Sequence, residues 1–357
     1  ELERSVIEPN PFYSHWMVLP ALRQFDKDQG LRVAFVYRNV HGRNIKRVLC
    51  GVFPFSRQPG FRDALIPILQ LWRHPQCFLC TPLVRIGHAK DVIRTVINWA
   101  RNADHGYSLL EFPRIHGEGP FQKALIDILR QENRLSCITE QYTRAMLVPG
   151  TSAENYLASA MSNHNRKEMR RRQRQLEACG RLELRKLGKF NDLDIWVDQF
   201  LDLECSGWKG REKTALGCSE ADKTFFKDVC RSALFRGRLM LIGLYLDGAP
   251  IAMKCNFISD HGSFAYKITY DERLAKYSPG TQLEIMNIKL FHEELALGWM
   301  DSCAGSDHFM LNRILSERRT IQSLLISTGS PVGDLLVSAR PLAKFLKRVA
   351  RRFIGAV

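Results

Sequence analysis

The stretch LMLIGLYLDGAPIAMKCNFISDHGSFAYKITY, residues 239–270, decides the fold. It holds three apolar runs, Leu239–Leu246, Ile251–Ile258 and Ser263–Tyr270. Asp247-Gly248 separates the first two, and this pair is a strong signal for a tight hairpin turn. Asp260-His261-Gly262 separates the second pair. The reading is a meander of three antiparallel strands. Downstream, a loop ends in Ser278-Pro279-Gly280. A helix is expected over Thr281–Leu297, stopped by Gly298, and a further strand over Trp299–Ala304. Upstream, Asn191 can cap a helix over Asp192–Cys205. Ser219-Glu220-Ala221-Asp222 resembles a capping box and opens a helix that runs to about Phe235. Leu182–Leu187 reads as a strand, and one helix is expected from Ser152 through Cys179, closed by Gly180.

The first half also alternates strands and helices. Leu31–Tyr37, Val48–Phe53, Ser108–Phe112 and Ser136–Thr143 read as strands, and Asp91–Ala103 and Phe121–Gln131 as helices. Leu147-Val148-Pro149-Gly150-Thr151 breaks both kinds of element and marks the expected boundary. The division is therefore 1–150, 151–340 and a tail of 341–357. The two halves share a weak likeness of layout that suggests duplication. The fold class expected is α/β (α+β), two tandem domains, each a mixed, mostly antiparallel sheet flanked by helices.

Composition is that of an ordinary globular chain: 357 residues, 45% hydrophobic and 25% charged, enough for two packed cores. The ten cysteines lie mostly in apolar runs, as buried free thiols do. Cys77 and Cys80 have C-x-x-C spacing, but no second such pair or His pair accompanies them, so no zinc site is expected. That usage, with no ~20-residue apolar span and no signal-peptide core, points to the cytoplasm.

The net charge of +15 is local. Arg166, Lys167, Arg170, Arg171, Arg172 and Arg174 face one acid, Glu168, and Arg340, Lys344, Lys347, Arg348, Arg351 and Arg352 face none. The first run is a solvated helix face or a contact for phosphates of RNA or of a nucleotide-linked donor. It lacks the interleaved aromatics of single-strand binders. In the tail, Leu342, Phe345, Leu346, Val349, Ala350 and Phe353 share a face opposite the cations. This is a basic amphipathic helix that either docks on its own domain or lies on an anionic membrane surface.

Several side chains have two readings. A helix start with exposed N–H groups, backed by the helix dipole, binds anions. Ser278, Gly280 and Thr281 fit that role, with Arg273 adding charge, or they form an ordinary turn. By strict alternation Phe264, Tyr266, Ile268 and Tyr270 share one face of their strand and Lys267 lies on the other. Lys267 must reach water, an acid such as Asp301, or a ligand, because an unpaired buried charge is costly. Asp301 is a base or a structural ion pair. Trp208 is a stacking platform or a core residue. Glu204 ends a helix or acts in catalysis. His308 titrates near neutrality or simply opens a helix. Glu284 is placed to meet substrate, or is stabilised one turn into its helix.

Six segments carry a resemblance to a known family. They are YKITYDERLAKYSPGTQLE (266–284), FLDLECSGWKGR (200–211), MDSCAGSDH (300–308) with ERRTI (317–321), SNHNRKEMRR (162–171) and EPNPF (8–12). Together they resemble the CelD-like acetyltransferases of cellulose and exopolysaccharide synthesis, within the GNAT superfamily and similar to the Fem-type aminoacyltransferases. The resemblance implies an acyl-CoA donor, its pyrophosphate on the loop at 278–281 and its thioester between strands 263–270 and 299–304. It implies an acceptor wall at Glu204, Trp208 and Lys209. The ordinary glycine-rich phosphate loop is reduced here to Gly280 alone, which leaves the acyl carrier open: CoA, a carrier protein or tRNA. The mechanism implied is direct attack by an amine or hydroxyl of a saccharide or lipid precursor. Glu204, Asp301 or His308 serves as base, a backbone N–H of 267–269 meets the oxyanion, and Tyr270 or Tyr277 protonates the thiolate. No metal is implied, and Cys303 lacks the His–acid partners of a nucleophile. Two alternatives stand beside this reading: a Fem-like transferase using aminoacyl-tRNA, and a non-catalytic membrane tether of a polysaccharide-synthesis complex.

Overall fold

The computed structural model describes residues 1–26, 30–40, 46–58, 66–102 and 106–340. The tail expected to form an amphipathic helix, 341–357, lies outside the described residues, and only 331–340 before it are described as helical. In chain order the elements are α1 (His15–Phe25), β1 (Arg32–Val40), β2 (Lys46–Gln58), β3 (Ile68–Leu71), β4 (Leu83–Val84), α2 (Ala89–Asn102), β5 (Leu109–His116), α3 (Pro120–Gln131) and β6 (Ser136–Leu147). There follow α4 (Ala153–Ala160), α5 (Asn163–Glu177), β7 (Leu182–Lys186), α6 (Leu193–Ser206), α7 (Trp208–Arg211), α8 (Glu220–Phe235) and β8 (Leu239–Leu246). The chain continues through β9 (Ala249–Ser259), β10 (Gly262–Tyr270), α9 (Pro279–Glu293), β11 (Trp299–Asp301), α10 (Leu311–Ile314) and β12 (Glu317–Ser327).

The chain divides into two compact units, and both are discontinuous. The first is Glu1–Tyr13, Asp28–Tyr142 and Thr320–Val357; the second is Ser14–Lys27 and Thr143–Arg319. One break between the units falls at residues 142–143, and two segments cross over. Helix α1 belongs to the second unit because it packs on α8, with Phe25 and Phe225 rings 5.1 Å apart and Trp16 5.6 Å from Phe257. Strand β12 returns to the first unit, where it pairs antiparallel with β5 from Ile321↔His116 to Ser327↔Leu109. Neither crossing leaves a mark in local sequence, because both are decided by side-chain packing over long separations.

Each unit is a mixed sheet with helices against it. In the first unit β1, β2 and β3 are antiparallel neighbours, and β3 runs parallel to β5. In the second, β7, β8, β9 and β10 form an antiparallel meander, β10 is parallel to β11, and β11 is antiparallel to the end of β6. The expected meander is therefore present. Its first turn places Asp247 at φ 49° and Gly248 at φ 83°, and two successive positive φ values match the right-handed twist of the strands they join. Helix α9 buries Leu283, Ile288, Leu290 and Phe291 against the sheet, alongside Ile242, Leu244, Ala252 and Ala265. Each fully buried side chain of this size contributes roughly 1.5–3 kcal/mol, so α9 is fixed on the sheet that it serves.

Two local expectations change. The single helix over 152–179 is two helices, α4 and α5. Met161 is extended, and Ser162 caps α5 by accepting the Asn165 N–H at 3.2 Å. A serine that can bond its own downstream backbone competes with helix continuation. The second change is in β10. Its register against β9 passes from Ala265↔Asn256 to Lys267↔Cys255, so the ladder shifts by one residue at Tyr266. A bulge breaks the alternation. Tyr266 stacks on Phe226 of α8, and Lys267 approaches Glu204 of α6, so these neighbours share a face. Ile268 and Tyr270 are registered with Lys254 and Ala252 on the α9 side. Strict alternation holds only up to the bulge.

Candidate active site

The geometry begins with two strands that part. β10 and β11 are paired over three positions only, Gly262↔Trp299, Ser263↔Met300 and Phe264↔Asp301. Beyond Asp301 the chain turns towards β6, with Ser302 N–H on the Ala145 carbonyl, and Cys303 adopts φ 55°. β10 runs on to Tyr270, so its edge from Ala265 onward has no β11 partner. A parted pair of parallel strands exposes backbone N–H and C=O groups to whatever enters the slot.

α9 starts beyond the end of β10. Ser278 is left-handed (φ 55°, ψ 52°), Pro279 occupies the first helical turn, and no side chain caps the helix. The first intrahelical bond is Gln282 N–H to the Ser278 carbonyl, 3.0 Å. The Gly280 and Thr281 amides precede it and belong to the orphan donors of a helix start. A Cβ on Gly280 would lie 3.1 Å from the Tyr270 ring, a tight contact that the ring would have to relieve by a few tenths of an ångström. Arg273 does not add its charge here in the manner expected: its side chain is 91% exposed and forks onto Asp271 at 2.7 Å. The cation at the helix start is Arg172 of α5, whose Nη1 donates to Ser278 Oγ at 2.5 Å. α5 is held alongside by Gln282 Nε2 donating to the Met169 carbonyl, 2.9 Å. The sequence reading placed Arg172 in the basic run without singling it out, although Met169, Arg172 and Leu176 share the inner stripe of α5 at helical spacing.

On the α6 face of β10 lies a charged cluster. Glu204 is fully buried. Its Oε1 accepts from Lys209 Nζ at 2.9 Å and lies 4.0 Å from Lys267 Nζ, while Oε2 accepts the Leu216 N–H at 2.8 Å. Lys209 Nζ also donates to the Ile268 carbonyl, 3.1 Å. That carbonyl is thus turned away from β9, and in an antiparallel ladder the N–H of the same residue points the same way. Burial pulls the Lys267 ammonium below its ordinary lysine value, and the Glu204 carboxylate opposes this only partly. A pocket of about 30 Å³ lies beside the cluster, with Glu204, Trp208, Lys209, Ile268, Tyr270 and Glu272 among its walls. The indole of Trp208 is 46% exposed. Its backbone N–H is held by Glu272 Oε1 at 2.6 Å, and Glu272 Oε2 also takes Arg211 at 2.7 Å. Glu272, another residue that sequence reasoning missed, therefore anchors α7.

The remaining candidates are placed elsewhere. Asp301 is fully buried and does not meet Lys267. Its oxygens take Arg144 (2.6 Å), Arg319 (2.7 Å) and the Cys303 N–H (2.9 Å). Burial alone would raise the Asp301 carboxyl; the two guanidiniums outweigh it and hold the group below the usual carboxylate range. Glu284 is also fully buried. It pairs with Lys254 at 2.7 Å and accepts from Asn287 at 3.0 Å, so its side chain is engaged within the core. His308 accepts the Leu311 N–H at 3.3 Å, and burial lowers its imidazole from the ordinary value. Burial pushes the Cys303 thiol far up, which keeps it protonated. Among the described residues no cluster of His, Cys, Asp and Glu is arranged to hold a metal ion. Nor is any described helix long and apolar enough to cross a membrane.

Comparison with known proteins agrees with this geometry. Residues 163–309 match the acetyltransferase (GNAT) domain family, a span that runs from α5 through β11. No curated protein sequence matches the chain. Among solved structures, a conserved protein of unknown function from Bacteroides thetaiotaomicron is similar with a TM-score of 0.56 and 9% identity, over 91% of this chain and 95% of that one. FemX is similar with a TM-score of 0.56 and 7% identity, over 90% of this chain and 94% of its own. At these identities the likeness is one of fold, mixed sheets flanked by helices, and the acetyltransferase (GNAT) match is confined to residues 163–309.

Proposed function

We propose, from the premise that residues 163–309 form a GNAT acetyltransferase domain, that the chain moves an acyl group from a phosphopantetheine thioester such as acyl-CoA to an amine or hydroxyl. The observation that carries this reading is the parting of β10 from β11 after Phe264 and Asp301, with the uncapped start of α9 beyond the end of β10. The thioester enters the slot. Its phosphate end meets the Gly280 and Thr281 amides, where the helix dipole and Arg172 favour negative charge.

Chemistry then follows from the α6 side. Glu204 is enclosed by two lysines and a backbone N–H, so it positions rather than abstracts. Lys267 takes the acceptor proton, because its lowered affinity for protons makes the neutral amine accessible. The acceptor atom forms its bond to the thioester carbon, and the Ile268 N–H on the open edge stabilises the oxyanion. The C–S bond breaks, and Tyr270, packed beside Gly280, returns a proton to the thiolate. Asp301 is a structural ion pair in this scheme, His308 lines the approach, and Glu284 supports α9. The acceptor proposed is a saccharide or lipid precursor of exopolysaccharide. The exposed indole of Trp208 at the pocket suits stacking on a sugar ring, and the resemblance to CelD-like enzymes points the same way.

The test is release of free thiol from acetyl-CoA by purified chain in the presence of amino sugars and oligosaccharides. The expected result is acceptor-dependent thiol release that disappears in Lys267→Met. Acceptor-dependent release that is unchanged in that variant contradicts the assigned chemistry.

A further inference from the structure

We infer that the donor arrives on an acidic acyl carrier protein that docks on the outer face of α5. This rests on the acyl-transfer reading above and names the carrier. The first observation is the size of the anion cradle. Pro279 has no N–H, and the Ser278 N–H is already bonded to the Ala275 carbonyl at 2.9 Å. Only the Gly280 and Thr281 amides are left to face an anion at the start of α9. Two amides and one arginine suit a single phosphodiester, the linkage that joins phosphopantetheine to a carrier protein. CoA brings a diphosphate and a further 3′-phosphate, which call for more donors than this helix start offers.

The second observation is the face beside it. Lys167, Arg170, Arg171 and Arg174 follow the i, i+3, i+4, i+7 spacing of one helical stripe. All four are exposed. Arg171 is shared with Glu168 at 2.8 Å, and Arg170 has only a loose partner, Glu154, at 3.9 Å. Among the described residues no ion pair engages Lys167 or Arg174. On the inner side of the same helix, Arg172 reaches Ser278. One short helix thus presents a cationic stripe outward and touches the phosphate position inward. A carrier protein has this pairing of features, an acidic surface and a phosphorylated arm that extends from it. Complementary charge brings the partner on quickly and fixes its orientation. RNA is the other polyanion to consider, but residues 163–177 contain no Phe, Tyr or Trp on which a base could stack.

In the transfer itself the carrier's phosphopantetheine sulfur leaves. The thioester C–S bond breaks, the acceptor N or O bonds the acyl carbon, and the acceptor's proton goes to Lys267 while Tyr270 protonates the departing thiolate.

The test measures dissociation constants for three probes: a bacterial acyl carrier protein loaded with acetate, acetyl-CoA, and bulk tRNA. Each is titrated into the full chain and into the triple variant Lys167→Glu, Arg170→Glu, Arg174→Glu, with unfolding monitored to confirm an intact fold. The prediction is that the carrier binds at least tenfold more tightly than acetyl-CoA. The triple variant loses at least tenfold of carrier affinity and keeps its acetyl-CoA affinity within twofold, and added salt weakens the carrier alone in this way. Carrier binding that is absent or indifferent to the charge reversal, while acetyl-CoA binds, overturns the inference and leaves acyl transfer standing. Binding of tRNA that is lost on charge reversal, with no carrier binding, assigns the stripe to nucleic acid instead. If neither thioester binds, the acyl-transfer reading fails as well.

Discussion

Lys267→Met lowers kcat by about 10²–10⁴-fold, the usual contribution of a positioned acid–base group, and leaves the chain folded. The variant removes an ammonium whose burial is already costly, and Glu204 keeps Lys209 and the Leu216 N–H as partners. Loss of rate without loss of structure separates a chemical role from a packing role. The pH dependence gives a second signature. Lys267 binds its proton less tightly in the folded chain than in the unfolded one. Between the lowered folded value and the ordinary 10.5 the unfolded state therefore holds more protons, and stability rises with pH in that window. Below the folded value the full penalty for the buried cation is present; above 10.5 it is gone. In Lys267→Met this slope disappears. The rate of the native chain rises with pH as Lys267 deprotonates, and the variant loses that limb. A pH–rate profile beside a pH–melting profile reads both. An unchanged rate limb in the variant removes Lys267 from the chemistry.

Asp301→Asn has the largest expected effect on stability, a loss of about 3–5 kcal/mol, the scale for breaking a buried ion pair by removing one partner. Arg144 and Arg319 are both buried and both rely on Asp301. Neutralising the carboxylate removes the negative charge that Arg144 and Arg319 share beside β11, at the position where β10 and β11 part. The Asp301 carboxyl is held below its ordinary 3.8 in the folded chain. Its contribution is therefore present in full above the unfolded value and is lost as pH falls through the lowered folded one. Urea titration at neutral pH measures the loss directly. A stability change under about 1 kcal/mol would return Asp301 to the pool of candidate bases, since a group so dispensable to the fold would need another reason to be there.

The meander, its type of turn and the helix start at 278–281 were legible because each is written in contiguous residues. Asp247-Gly248 dictates a turn, and Ser278-Pro279-Gly280 dictates a break followed by a helix. The members of the site that depend on distant partners were not legible in the same way. Asp301, Arg144 and Arg319 come from three separate strands, and no local pattern pairs them. Arg144 lies between Thr143 and Ala145, and Arg319 between Arg318 and Thr320, so neither position shows in local sequence that it is buried or which acid it meets. The bulge at Tyr266 left no turn residue to betray it, so strict alternation put Tyr266 and Lys267 on opposite faces. Arg172 was read as one of six equivalent cations. Only its place on the inner stripe of α5, with Met169 and Leu176, sets it apart from the four that face outward.

The central claim is most directly tested by a crystal structure with a non-hydrolysable acyl thioester analogue, its sulfur replaced by methylene. The account predicts a phosphate on the Gly280 and Thr281 amides beside Arg172, and the acyl carbonyl on the open edge of β10 at the Ile268 N–H, within reach of Lys267. An analogue seated anywhere else, with the slot between β10 and β11 closed and empty, contradicts it.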